Sequence, residues 1–338
     1  MSVKSVCVLG GGSFGTALAN IMANNGHQVS QWMRDSKQVE EINLTGVNSR
    51  YLPQASLSEE LLATTDLEAA IQESNTIFIS IPSKSFAQVV ERITPFLTAD
   101  KVLISTTKGF NPNCFELMSD ILRRQTVTEK IGVLSGPNLA KEIADGQLTG
   151  SVIASAITEV RLNTVELLKS PTFRVYENKD IKGVELAGAL KNIYAIVCGL
   201  AKAMQVGENT MAMIMTRSLA EMSRFAVHFG ANPMTFLGLA GMGDLIATCS
   251  SPLSRNYQVG FAIGSGKKLD EAIGGIGQVA EGVNTLKMVV TEAKKYDLYM
   301  PLAFGLYQLI FNGAQLDSLI TGLMSGELKW DVEFSTLK

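Results

Sequence analysis

Along the first half of the chain, apolar and polar positions alternate in short blocks. Apolar and β-branched runs at Ser5–Leu9, Gln28–Met33, Thr76–Ile81, Val102–Thr106, Gly132–Ser135 and Val152–Ala154 predict strands. Between several of them, stretches such as Gly15–Asn25 and Phe86–Phe96 carry apolar residues at helical spacing. Strands that alternate with helices predict an α/β domain with a mostly parallel sheet and crossover connections. Beyond about Ile181 the strand signal ends. Long Ala/Leu/Met/Ile segments follow, punctuated by Gly207, Gly230–Pro233, Gly264–Gly266, Gly274–Gly277 and Pro301, and they predict an all-α second half. The chain is therefore expected to divide into residues 1–180 and residues 181–338, with the boundary near Asn178–Gly183.

One helix breaks its own pattern. The segment Val184–Ile196, VELAGALKNIYAI, is apolar or small almost throughout, yet Lys191 and Asn192 stand in its middle. At helical spacing the lysine meets Ala187, Gly188, Tyr194 and Ala195 rather than a carboxylate. Burying an ammonium without purpose costs several kcal/mol or strips its proton, so this residue calls for a functional reason.

Composition narrows the classes. With 338 residues, 46% of them hydrophobic, and a net charge of −3, large cores are possible and a general affinity for nucleic acid is not indicated. Any anionic ligand must be held by local charge. The cysteines Cys7, Cys114, Cys198 and Cys249 are scattered without a CxxC pair, and only His27 and His228 are present, so no metal site is expected. The thiols read as reduced, in a cytosolic protein. No basic segment followed by an apolar one precedes the first strand, so no signal peptide is expected. The longest apolar stretch, about Val184–Met204, is interrupted by Lys191, Asn192 and Lys202 and reads as a buried helix rather than a membrane span.

The first chemical motif is Gly10-x-Gly12-x-x-Gly15, directly after a strand and opening a helix. Gly10 permits a tight turn, Gly12 lets the backbone approach a pyrophosphate, and Gly15 lets helix and strand pack closely. The bland alternative is a glycine-rich turn, but the placement favours a dinucleotide cradle. The second strand ends in QWMRDS, where Arg34 and Asp35 compete for the position that reads the ribose. With the strand ending at Met33, Arg34 meets a 2′-phosphate and Asp35 turns away or caps the next helix. A shift of one residue reverses this. NADP(H) is favoured, and NAD(H) remains possible.

Three further stretches, STTKGF with Lys108, LSGPNLAKE with Gly136 and Asn138, and GLAGMGDLIATCSSPLSRN with Asp244, Thr248, Ser254, Arg255 and Asn256, hold polar residues that a core does not need. Each alone reads as a loop or helix cap. Together with GGGSFGTALA, ELAGALKNIYAI and VAEGVNT, they make the chain resemble the bacterial NAD(P)-dependent sn-glycerol-3-phosphate dehydrogenases, in the family's order from Gly10 to Thr285. The resemblance implies a Rossmann-like N-terminal domain, an all-α C-terminal domain, a homodimer, and a cytoplasmic role supplying glycerol 3-phosphate to phospholipid synthesis. It makes Lys191 the catalytic lysine and places Asp244 in the catalytic cluster, with Lys108 at the junction of cofactor and substrate. Gly136 and Asn138 would line the substrate pocket, and Ser254, Arg255 and Asn256 would bind the phosphate. For the cofactor it implies Ser13, Phe14, Arg34, Tyr51, Lys108, Ala140, Arg255, Val279 and Glu281 beside the glycine loop. One departure is Asn138, where the family usually has serine or threonine.

The expected reaction is reduction of dihydroxyacetone phosphate. His27, before a strand, and His228, near a helix end, are better explained structurally. That leaves a lysine as proton donor, a role it can fill where burial and positive neighbours bring its pKa towards working pH. Two other readings compete: a two-domain dehydrogenase of unphosphorylated hydroxy acids, thioesters or sugar acids, which would not need Ser254–Asn256, and a non-catalytic nucleotide sensor, against which Lys191, Lys108 and Asp244 argue.

Overall fold

A computed structural model describes residues 3–274, 281–325 and 331. The chain divides into two compact units, Met1–Glu185 and Leu186–Lys338.

The first unit holds eight strands: β1 (Ser5–Leu9), β2 (Gln28–Trp32), β3 (Leu61–Thr64), β4 (Thr76–Ile79), β5 (Val102–Ser105), β6 (Ile131–Ser135), β7 (Thr149–Ala154) and β8 (Phe173–Asn178). They form one sheet in the order β3-β2-β1-β4-β5-β6-β7-β8, parallel except where β6 meets β7. The helices are α1 (Ser13–Asn24), α2 (Ser36–Thr45), α3 (Leu67–Gln72), α4 (Ser83–Ile93), α5 (Met118–Gln125), α6 (Ala140–Ala144) and α7 (Thr158–Leu168). Period-two alternation distributes the strand side chains between two cores. Val6, Val8, Phe78 and Ile104 face α1 and α7, through Leu18, Met22, Val160 and Leu168. Cys7, Leu9, Ile77 and Ile79 face α3, α4 and α5, through Ile71, Phe86, Val90 and Ile121. With both faces covered, strands such as β4 and β5 are buried at every position, which is why they read as unbroken apolar runs. The strand order reverses between β1 and β4, the place where open α/β sheets bind ligands.

Two strands, β3 and β8, escaped the sequence reading. Both are sheet edges, and each shows a buried/exposed alternation too short or too charged to stand out: Leu-Leu-Ala-Thr in one, Phe-Arg-Val-Tyr-Glu-Asn in the other.

Helix α8 (Ile181–Ala203) spans the dividing point. Its Glu185 accepts hydrogen bonds from the backbone N–H (3.0 Å) and the hydroxyl of Ser119 in the first turn of α5. The first turn of α8 is thus fastened within the first unit. An 18-residue window of α8 is apolar enough to cross a membrane, but 94% of it is buried inside the protein.

The second unit contains the rest of α8, then α9 (Glu208–His228), α10 (Asp244–Ser250), α11 (Arg255–Gly264), α12 (Leu269–Gly274), α13 (Glu281–Lys295), α14 (Pro301–Asn312) and α15 (Leu316–Met324). A π-helical turn, Leu239–Gly243, leads into α10. Helices α8 and α11 meet backbone to backbone. A Cβ on Gly260 would lie 1.9 Å from the Ile196 carbonyl oxygen, and one on Gly199 would lie 2.0 Å from that of Tyr257.

Glu221 of α9 joins three helices. Its carboxylate accepts from Tyr194 Oη of α8 (3.0 Å) and from the first backbone N–H groups of α14, Leu302 (2.6 Å) and Ala303 (3.2 Å). Pro301 at the first position of α14 has no N–H, so Glu221 serves the donors that follow it. Burial outweighs these donors and pushes the carboxyl from its ordinary 4.5 up to about 7. An acid whose folded pKa is raised binds its proton more tightly in the folded state. Its stabilising contribution is therefore full below pH 4.5 and is lost as pH rises through 7. The loss is of the order of 3 kcal/mol. Urea unfolding should show stability falling between pH 5 and 8, and Glu221→Gln should flatten that fall. An unchanged slope would place the titration elsewhere, with Glu185, also pushed by burial to about 7, as the next candidate.

Candidate active site

The glycine loop follows β1. Gly10 has φ +127°, and a Cβ there would lie 2.2 Å from the Ser80 carbonyl oxygen beyond β4. A Cβ on Gly15 would lie 2.6 Å from the Gly10 carbonyl oxygen, so α1 can start only if that residue is glycine. Gly12 differs: among the described residues, no atom beyond its own chain neighbours lies within 4 Å of the place its Cβ would take. It is the N-cap of α1, no side chain caps it, and the first turn of the helix has no acid. Space above the backbone, a helix N-terminus and the absence of negative charge together fit a pyrophosphate.

Of the residues expected at the cofactor, Ser13, Phe14, Arg34 and Tyr51 lie on this loop or on the elements next to it. Strand β2 ends at Trp32, one residue earlier than the sequence predicts, although Met33 is buried in the core and its N–H still bonds Thr64 O at 3.0 Å. Arg34 follows, exposed. Asp35 is the N-cap of α2 and accepts from Lys37 N at 3.1 Å, so its carboxylate is engaged with the helix. Ser13 Oγ donates to the Tyr51 carbonyl at 3.3 Å, and Tyr51 is half-buried. Phe14 packs against the core beneath α1, as does Ala140 at the start of α6. In the second unit Glu281 begins α13 half-buried; Val279 lies outside the described residues.

Lys108, Gly136 and Asn138 converge beyond the carboxyl ends of the neighbouring strands β5 and β6. Lys108 Nζ donates to the Gly136 carbonyl at 2.9 Å. Gly136 has φ +145° and packs against Gly150 and Ser151. Asn138 Nδ2 donates to Ser151 Oγ at 3.0 Å, which itself donates to the Ser135 carbonyl at 3.1 Å. Asn138 Oδ1 and Ser135 Oγ are buried with no protein partner. Unmet polar atoms beside a lysine suit a polar ligand.

In the second unit Lys191 is 7% exposed and Asp244 1%. Lys191 Nζ donates to Asp244 Oδ1 and to Thr248 Oγ1 (2.6 Å). Asp244 and Thr248 are one turn apart on α10, so one face of a short helix receives the ammonium. Asn256 lies in the first turn of α11 beside exposed Arg255. Its Nδ2 donates to Asn192 Oδ1 at 3.0 Å, and its Oδ1 accepts from Gly282 N at 3.0 Å. Ser254 caps α11, its Oγ accepting from Tyr257 N at 3.3 Å. Thr248 and Asn192 were visible in the sequence but carried no assignment. The signals were the i, i+4 spacing from Asp244 and an amide next to the odd lysine. Of the two histidines, His27 is 1% exposed, with Nδ1 accepting from Lys4 N at 3.4 Å, and His228 is the last residue of α9, edge-on to Phe229.

A doubly wound sheet with an open glycine loop at its switch point, followed by a helical unit presenting a buried lysine–carboxylate pair, defines a dinucleotide-dependent dehydrogenase. Residues 5–161 and 180–321 match the models of the N-terminal and C-terminal parts of the NAD-dependent glycerol-3-phosphate dehydrogenases. The glycerol-3-phosphate dehydrogenase [NAD(P)+] of Alcanivorax borkumensis is 53% identical over 330 residues, covering 98% of this chain and 96% of the relative. That of Acinetobacter baylyi is 54% identical over 329 residues, covering 97% and 92%. The crystal structure of glycerol-3-phosphate dehydrogenase from Coxiella burnetii superposes with a TM-score of 0.89 at 35% identity, covering 96% of this chain and 99% of that one. The chain belongs to the NAD(P)-dependent glycerol-3-phosphate dehydrogenase family and is an oxidoreductase.

Proposed function

We propose that the chain reversibly reduces dihydroxyacetone phosphate to sn-glycerol 3-phosphate in the cytoplasm, as a homodimer feeding glycerophospholipid synthesis. Residues 1–180 would serve as the dinucleotide-binding domain and residues 181–338 as the substrate and catalytic domain. The observation that carries this reading is Lys191, buried in an apolar helix and held by Asp244 and Thr248. When bound, the reduced nicotinamide supplies the hydride that C2 receives. Lys191 Nζ protonates the C2 oxygen, and its charge stabilises the developing alkoxide. Asp244 and Thr248 fix the direction of the ammonium. Lys108, Gly136 and Asn138 are further substrate contacts that the family resemblance implies, with Lys108 supplying positive charge. The phosphate sits at the N-terminus of α11, held by Arg255, by the Ser254 hydroxyl, and by the remaining N–H of Asn256. Gly10, Gly12, Ser13, Phe14, Gly15, Arg34 and Tyr51 hold the dinucleotide, with Ala140, Val279 and Glu281 as further contacts. For the homodimer, support comes from α15, where Ile320, Leu323 and Met324 are exposed and no residue is buried.

The direct test follows the absorbance of NADPH and NADH on addition of dihydroxyacetone phosphate. Oxidation of neither coenzyme sinks the proposal. So does a ternary complex in which Lys191 Nζ cannot reach the C2 oxygen directly or through one water.

NADP(H) is the preferred coenzyme, because Asp35 is engaged in capping while Arg34 stands exposed at the end of β2. Arg34→Asp sets a repulsive charge against the 2′-phosphate, so kcat/KM for NADPH should fall far more than for NADH. Equal losses for both would mean that Arg34 does not read that phosphate.

A further inference from the structure

Beneath the glycine loop lies a buried cluster of neutral amides for which a hydrophobic core has no use. Gln31 Nε2 donates to the Gly10 carbonyl (2.8 Å) and to Thr16 Oγ1 (2.9 Å). Gln38 Nε2 donates to the Gly11 carbonyl (2.7 Å) and to Asn48 Oδ1 (3.1 Å). Asn48 Nδ2 donates to the same Gly11 carbonyl (3.0 Å) and to Thr16 Oγ1 (2.9 Å). All four residues are buried. A carbonyl can only accept, so each amide must turn its nitrogen towards the loop, and both N–H groups of every amide are engaged. In a trans peptide the C=O and the following N–H point in opposite directions. Holding the Gly10 and Gly11 carbonyls inward therefore turns the N–H groups of Gly11 and Gly12 outward.

We propose that Gln31, Gln38 and Asn48, joined through Thr16, are positioning residues for the dinucleotide, presetting the N–H face of the glycine loop that receives its pyrophosphate. This rests on the reading of that loop as the cofactor site. The cluster also ties the two ends of that site together. Gln38 belongs to α2, whose cap, Asp35, adjoins Arg34. Asn48 is bridged to Leu52 across the turn that carries Tyr51, and the Tyr51 carbonyl accepts from Ser13 in the first turn of α1. Without these donors the two glycine peptides would be free to rotate, and binding would have to order them.

The test measures NADPH dissociation constants on the ligand-free protein by fluorescence titration, with melting temperatures, kcat and both KM values alongside. Gln38→Glu replaces the donating nitrogen with an anionic oxygen facing a carbonyl. Thr16→Val keeps the shape and removes the shared acceptor. Each should weaken NADPH binding about tenfold or more, the scale of one lost buried hydrogen bond, with kcat and the KM for dihydroxyacetone phosphate at saturating NADPH changed less than about twofold. Thr16→Ser restores the acceptor and should recover most of the affinity. NADPH affinity within about twofold of wild type in Thr16→Val and Gln38→Glu overturns the proposal, whatever happens to the melting temperature. If Gln38→Glu fails to fold, the Thr16→Val and Thr16→Ser pair decides alone. Gly12→Val separates the two levels. Intact NADPH binding in that variant removes the loop as the cofactor site, whereas lost binding there with normal binding in the amide variants removes only the positioning role.

Discussion

Lys191→Ala is expected to cut turnover by roughly 10²–10⁴-fold, the usual span for a lost general acid, while NADPH binds as in wild type. Arg255→Ala should instead act mainly on the KM for dihydroxyacetone phosphate, since it removes a contact present before the transition state. Dihydroxyacetone, which lacks the phosphate, sharpens the contrast: on it Arg255→Ala should do little further harm, and Lys191→Ala should still abolish reduction. The lysine also has a structural partner. Removing it leaves the Asp244 carboxylate 1% exposed without its cation, which costs about 3–5 kcal/mol for a buried pair. A lower melting temperature alone would therefore not establish catalysis. Lys191→Ala/Asp244→Ala removes both charges, so it should recover much of the stability and none of the turnover. If Lys191→Ala and Arg255→Ala lose the same factor on both substrates, the division into acid and phosphate clamp is wrong.

The parts of this site that could be read in the sequence are those where a residue contradicts its local pattern. Lys191 stood out because an ammonium has no place in VELAGALKNIYAI, and the glycine loop because its spacing follows a strand. The buried strands were legible for the same reason that both faces of the sheet are covered. What stayed hidden depends on tertiary neighbours. Nothing in the spacing of Gln31, Gln38, Asn48 and Thr16 says that they meet under the loop, although Gln31 was a polar residue in a strand, next to Trp32, where it is 0% exposed. The family resemblance implies that Asn256 is a phosphate ligand. Its amide is also the brace between Asn192 and Gly282, a role that only the close approach of α8, α11 and the start of α13 creates. The edge strands β3 and β8 were missed because one of their two flanks has no partner strand, which leaves room for polar and charged residues.

That close approach supports the largest stability effect expected of a one-methyl change. Gly260→Ala would put a Cβ 1.9 Å from the Ile196 carbonyl oxygen, and 2.7 Å from its carbon. These are backbone atoms in the middle of α8, so no side chain can rotate away. The two helices must separate by more than about 1 Å, and at interior packing densities the opened gap forfeits dispersion along the whole contact. A destabilisation of about 3 kcal/mol follows, at the upper end for overpacking. The movement also displaces α11, which carries Arg255 and Asn256, so the KM for dihydroxyacetone phosphate should rise in any protein that still folds. Gly305 in α14 provides the opposite case. Among the described residues, no atom beyond its chain neighbours and its own helix backbone lies within 4 Å of its Cβ position, and its φ is an ordinary one. Gly305→Ala should therefore stabilise α14 by about 0.5–1 kcal/mol through helix propensity alone. Urea unfolding of the two variants should move the midpoint in opposite directions. A Gly260→Ala midpoint equal to wild type would mean that the backbones of α8 and α11 are not in contact. A destabilised Gly305→Ala would point to an intermolecular neighbour at α14, which sedimentation of wild type and variant can check as a change in oligomeric state.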